Sequence, residues 1–68
     1  MPEYYVNDNP QDNGDHEVHK EGCSWLDLVN SKTDLGFHLT CSTAVEKAKE
    51  IYPTADGCKH CSIECHSR

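Results

Sequence analysis

The stretch ADGCKHCSIECH, residues 55–66, gathers three of the chain's five cysteines and two of its five histidines. Within it, Gly57-Cys58-Lys59-His60-Cys61 is a glycine-preceded C-x-x-C turn. Such a turn aims two thiolates at one ion while backbone N–H groups donate to the sulfurs. Earlier in the chain, HEVHKEGC places His19 and Cys23 at H-x-x-x-C spacing, which brings a second pair of donors together. Two close pairs from separate parts of a chain make up the four ligands of a tetrahedral structural zinc ion, here His19, Cys23, Cys58 and Cys61. Whatever fold forms must carry the first pair to the second.

The remaining thiols leave alternatives open. With CKHCSIEC as a helix, Cys58, Cys61 and Cys65 share one face, and Cys65 competes as a ligand in place of His19. Otherwise Cys41 and Cys65 lie near each other as packed thiols or as a disulfide under oxidation. Cys41 and His66 are further alternates without an assigned position. For the cysteines as a set, a disulfide framework is the competing reading to zinc.

A staple is needed because the chain has 68 residues, of which 35% are apolar even with cysteine counted. A single domain over residues 1–68 of this kind buries too little apolar surface to offset its ordering entropy unaided. No apolar run approaches the roughly 20 residues of a membrane span. The opening MPEYYVNDNP has no secretory character, so the cytoplasm is expected, where thiols stay reduced and available to metal. The net charge of −6, without a basic cluster, speaks against nucleic acid and favours basic partners. A monomer with an unidentified protein partner is expected.

The expected fold class is α+β: a small three-stranded, largely antiparallel sheet with one main helix over about 42–52, stapled by Cys and His. EYYVN reads as a strand with Tyr4 and Val6 on one face. DNPQDNGD is a connection with a turn at Asn13-Gly14. HEVHK alternates, sending His16, Val18 and Lys20 one way and Glu17 and His19 the other. SWLDLVN is too short to assign. KTDLGFHL carries Leu35, Phe37 and Leu39 at period two, a third strand. STAVEKAKEIYP has a capping-box spacing at Thr43 and Glu46, an apolar stripe of Ala44, Val45, Ala48, Ile51 and Tyr52, and a stop at Pro53. Trp25, Tyr4, Tyr5 and Phe37 are expected in the core. His60 and His38 are expected to be exposed, and His16 to cap a turn.

The order H-x-x-x-C, short strand, alanine-bearing helix, glycine-preceded C-x-x-C resembles the zinc-binding module of the Ada DNA-repair methyltransferase. It resembles still more the small modules attached to some bacterial nucleases, in which a YH…C pair, an eA…G helix and a terminal PCxxC bind one zinc ion. The resemblance covers roughly residues 16 to 62 and implies the ligand set His19, Cys23, Cys58 and Cys61, with Ala44 and Ala48 in the helix. The whole chain is also similar to a group of short uncharacterised bacterial proteins of the pattern YYVN…GDHEVHxxGC…GCxxC…CH. His19 stands where Ada has a cysteine ligand, and the surroundings are acidic, so methyl transfer from DNA is not expected.

Three functions compete. A zinc-stabilised module without catalysis leads, because four protein ligands leave no coordination position for activated water. Thiol chemistry at Cys58 and Cys61, redox cycling or alkyl acceptance, is permitted by the C-x-x-C spacing. It lacks the thioredoxin context in which a helix follows the motif. A nucleic-acid-associated module comes last, on charge.

Overall fold

The computed structural model describes residues 1–67. Strand β1 (Glu3–Asn7), strand β2 (His16–Lys20) and strand β3 (Lys32–Phe37) are followed by helix α1 (Cys41–Ile51) and a short strand β4 (Ala55–Gly57). Single 3-10 turns form at Leu26–Leu28 and Ile63–Cys65. The fold is thus α+β, one helix on a four-stranded mixed sheet in the order β3-β1-β2-β4. β1 is antiparallel to both β2 and β3, while β4 runs parallel to β2.

The fourth strand corrects the three-stranded expectation. Ala55-Asp56-Gly57 carries two residues that strands ordinarily avoid, so nothing in its own composition announces it. Its pairing is set by position: β3 and α1 form the crossover that a parallel neighbour requires. The ladder then continues past the strand end, with Cys58 N–H donating to Val18 C=O at 2.9 Å. That single bond delivers the C-x-x-C turn to the strand that bears His19.

The core lies between α1 and one face of the sheet. Tyr4 and Val6 of β1, Val18 of β2 and Leu35 of β3 meet Ala44, Val45 and Ala48 of the helix, with Ala55 beside them. Ala44 and Ala48 are fully buried; their small side chains let the helix approach the sheet closely. The helix begins earlier than the capping-box spacing implies. Thr40 is the N-cap residue, without a side-chain cap bond, and Thr43 sits in the first turn. Its hydroxyl donates to Nδ1 of His38 at 2.9 Å, while His38 donates from Nε2 to the Leu35 carbonyl at 2.7 Å. His38 is therefore a half-buried bracket between β3 and α1, not an exposed side chain.

Period two fails along β3. The β1–β3 register shifts between Tyr4 and Tyr5, with Tyr4 opposite Gly36 and Tyr5 opposite Asp34. Leu35 is the extra residue of a bulge, and Gly36 takes φ +84°, the left-handed conformation that glycine supplies. Leu35 points inward with no exposure, and Phe37 and Leu39 are turned out at 62% and 79%. Phe37 is consequently not core, and Trp25, at 47% exposed, is not core either. Of the expected large core residues only Tyr4 is buried; Tyr5 is half-buried.

A disulfide joins Cys41, the first residue of α1, to Cys65 in the second 3-10 turn, with Cα atoms 6.3 Å apart. It bridges a sequence separation of 24, worth about 3 kcal/mol of unfolded-chain entropy. Among the described residues no helix is long and apolar enough to cross a membrane.

Candidate metal centre

The face of β2 opposite the helix would ordinarily be left to solvent. Alternation puts Val18 under the helix and His19 on that other face, yet both are buried, His19 at 1% exposure. The turn after β2 and the C-terminal segment cover it. Gly22, at φ +89°, turns the chain back so that Cys23 N–H bonds the Lys20 carbonyl at 3.0 Å. Cys23 thereby faces the His19 ring. From the other direction, β4 and the following turn bring in Cys58, 1% exposed, and half-buried Cys61.

One ligand atom from each of His19, Cys23, Cys58 and Cys61 lies within 4.8 Å of all the others. The spacing-based ligand set therefore comes together as a single cluster, a group able to hold a metal ion. The alternates lie elsewhere. Cys41 and Cys65 are bonded to each other. His66 donates from Nδ1 to the Gly57 carbonyl at 3.0 Å and stands 3.3 Å from Asp56. The helix over CKHCSIEC that would have made Cys65 a ligand does not form; a turn closed by Ser62 N–H to Cys58 C=O at 2.8 Å stands there instead.

The surroundings suit sulfur ligands. Lys20 N–H donates to Cys61 Sγ at 3.3 Å and His60 N–H to Cys58 Sγ at 3.4 Å, the backbone donors that stabilise thiolate charge in such turns. Nδ1 of His19 faces the sulfurs, 3.8 Å from Cys23 and 3.9 Å from Cys61. Nε2 faces the Glu17 carboxylate at 3.6 Å. A carboxylate there favours the tautomer protonated on Nε2, leaving the Nδ1 lone pair for the metal. Burial holds the His19 pKa below its ordinary value, with Glu17 opposing, so the neutral imidazole is favoured.

Two of the thiols are shifted in opposite directions. Burial first, and then the neighbouring Cys23 and Cys58, push Cys61 up to about 12. For Cys23, burial is outweighed by hydrogen bonds from Cys61 and from the Trp25 and Leu26 backbone, and its pKa is lowered. Three thiolates this close need a cation between them.

Gly57 is required by space rather than by φ. A Cβ there would lie 2.7 Å from the Ser62 carbonyl oxygen and 2.8 Å from both the carbonyl carbon and Cβ of Cys65. Outside the cluster Trp25 stacks on His60, centroids 4.9 Å apart at 16°, so the residues flanking the two ligand pairs touch as well. Sequence reasoning placed Glu17 and His19 on one strand face without assigning Glu17 a role, and missed Gly57's contact and the Trp25–His60 stack. His16 donates from Nδ1 to the Asn7 carbonyl at 3.0 Å and stacks on Tyr52 at 3.9 Å, away from the cluster.

Fold and site together define a small α+β domain with a buried His/Cys cluster that can hold a metal ion. No protein-family model matches the chain, and no curated protein or solved structure matches it either.

Proposed function

We propose that this chain is a zinc-stabilised module without catalysis of its own, which serves a protein partner or a larger assembly as a monomeric accessory domain. The observation that carries the reading is the convergence of His19, Cys23, Cys58 and Cys61 within 4.8 Å. A tetrahedral ion with bonds of about 2.3 Å to sulfur needs sulfurs about 3.8 Å apart, and the N···S separations of 3.8 and 3.9 Å match that scale. Three sulfurs and one imidazole suit zinc among the common divalent ions. With four protein donors the coordination sphere is closed, so the metal's role is to hold β2 and β4 together rather than to activate water.

The same ligand order keeps a relationship to the Ada-type and nuclease-associated zinc modules, and to the short bacterial proteins of similar pattern, as part of this proposal. The acidic composition makes a protein the favoured partner over nucleic acid. We place the chain in the cytoplasm, where the cluster thiols are reduced and a disulfide such as Cys41–Cys65 is reversible. Thiol catalysis is less well supported, since Cys58 is 1% exposed and its C-x-x-C turn follows a strand rather than opening a helix.

Native mass spectrometry of protein purified without chelator tests the reading. One zinc per chain, lost on chelation together with the dispersed amide proton spectrum, is expected. A metal-free protein with unchanged spectra overturns it.

A further inference from the structure

We propose that the Cys41–Cys65 disulfide and the four-ligand centre are thermodynamically coupled, so that reducing the bridge weakens the hold on the metal. The inference rests on the zinc reading above and concerns the regulation of that site. Both clasps grip one stretch of chain, residues 57–66. Cys58 and Cys61 bind the ion, and Cys65 ties the end of the same stretch to the start of α1.

The backbone between the clasps is tightly chained. Ser62 N–H bonds Cys58 C=O at 2.8 Å, Cys65 N–H bonds Ser62 C=O at 2.9 Å, and the His66 ring bonds the Gly57 carbonyl at 3.0 Å. Gly57, immediately before the first ligand of this pair, lies so close to Cys65 that a methyl group would not fit between them. Where Cys65 sits therefore fixes where the Cys58 turn sits.

Beyond the partly buried Cys65, which packs against the core, the turn itself contributes little buried surface. The 3-10 turn Ile63–Cys65 contains no buried residue, and Ile63 is 66% exposed. An open groove of about 460 Å³ runs between the two clasps, with Cys41 and Cys61 both in its lining. Once the bridge is open, the segment loses its covalent tie to α1 and is left with hydrogen bonds, among them Cys58 N–H to the Val18 carbonyl and Lys20 N–H to Cys61 Sγ, so more of the ordering of Cys58 and Cys61 falls on the metal.

The reductant is a thiol of the glutathione class. Two molecules together supply two electrons and two protons, which break the S–S bond and leave Cys41 and Cys65 as thiols, while the two are joined to each other as one disulfide. Coupling is reciprocal, so bound zinc makes the bridge harder to reduce by the same factor by which the bridge strengthens zinc binding.

The test compares zinc affinity, by competition with a chromophoric chelator, between the bridged wild type and the C41S/C65S variant. The variant is expected to bind one zinc at least about fivefold more weakly; equal affinities overturn the coupling. Because the variant could lose its fold for other reasons, the wild type is also equilibrated in glutathione buffers with and without zinc, and the bridge is followed by peptide mapping. Zinc is expected to raise [GSH]²/[GSSG] at half-reduction by at least about fivefold; an unchanged value overturns the coupling. A bridged wild type that retains no zinc overturns the metal reading itself, which distinguishes the two failures.

Discussion

Glu17 holds a carboxylate oxygen 3.6 Å from Nε2 of His19, on the side of the ring away from the sulfurs. The distance is that of an ion–dipole contact rather than a formed hydrogen bond. Its effect is on the tautomer, keeping the Nε2 proton in place so that Nδ1 is the donor toward Cys23 and Cys61. Glu17→Ala should therefore weaken metal binding by about tenfold, the low end for loss of such an orienting carboxylate, with one ion still bound per chain. Competition against a chromophoric chelator measures this, and unchanged affinity would remove Glu17 from the account.

Gly57→Ala tests the close approach behind the ligand turn. The new methyl group would meet backbone atoms of Ser62 and Cys65 at 2.7–2.8 Å, and backbone yields far less readily than a side-chain tip. A destabilisation of about 3 kcal/mol, at the upper end of ordinary overpacking, is expected. It should appear as a lower thermal midpoint together with weaker metal retention. A variant of wild-type stability would show that the turn has slack.

The pH response follows from His19. Its folded pKa is depressed by burial, so between that value and the unfolded value of about 6.5 the unfolded chain binds the additional proton. Stability is thus fully present above about pH 6.5, falls as pH drops through it, and levels off once the folded pKa is passed. Protons competing for the metal ligands act in the same direction. Asp8, whose pKa is lowered chiefly by donation from the Thr33 and Ser31 hydroxyls, contributes above the ordinary carboxylate range of about 3.9 and loses its contribution only below it. A thermal midpoint lower at pH 5.5 than at pH 7.5 is expected; equal midpoints would mean that His19 is not buried neutral.

Leu35 reports on the apolar core separately from the metal. It is fully buried under α1 at the β3 bulge, and Leu35→Ala should cost about 2–5 kcal/mol. In so small a domain that is expected to unfold the chain once zinc is removed, while excess zinc restores part of the fold. Circular dichroism with and without chelator reads both states. A variant as stable as the wild type would place the core elsewhere.

How much of this was legible in the sequence depends on the range of the interaction. The strand at EYYVN and the helix could be read because their side-chain periods are local, and the four ligands because H-x-x-x-C and C-x-x-C are short spacings with one chemical use. The fourth strand was not legible, since Asp56 and Gly57 join the sheet through the β2 backbone and not through propensity. Phe37 was misplaced because one bulge residue, Leu35, reverses the alternation after it. Cys41–Cys65 stood among the alternatives, and only the packing of the Ile63–Cys65 turn against the start of α1 selects it.

Zinc-edge X-ray absorption on protein purified without chelator tests the central claim most directly. A clamp formed by His19, Cys23, Cys58 and Cys61 predicts three sulfurs at about 2.3 Å and one nitrogen at about 2.0 Å. A first shell of nitrogen and oxygen alone, or one with fewer than three sulfurs, would contradict it.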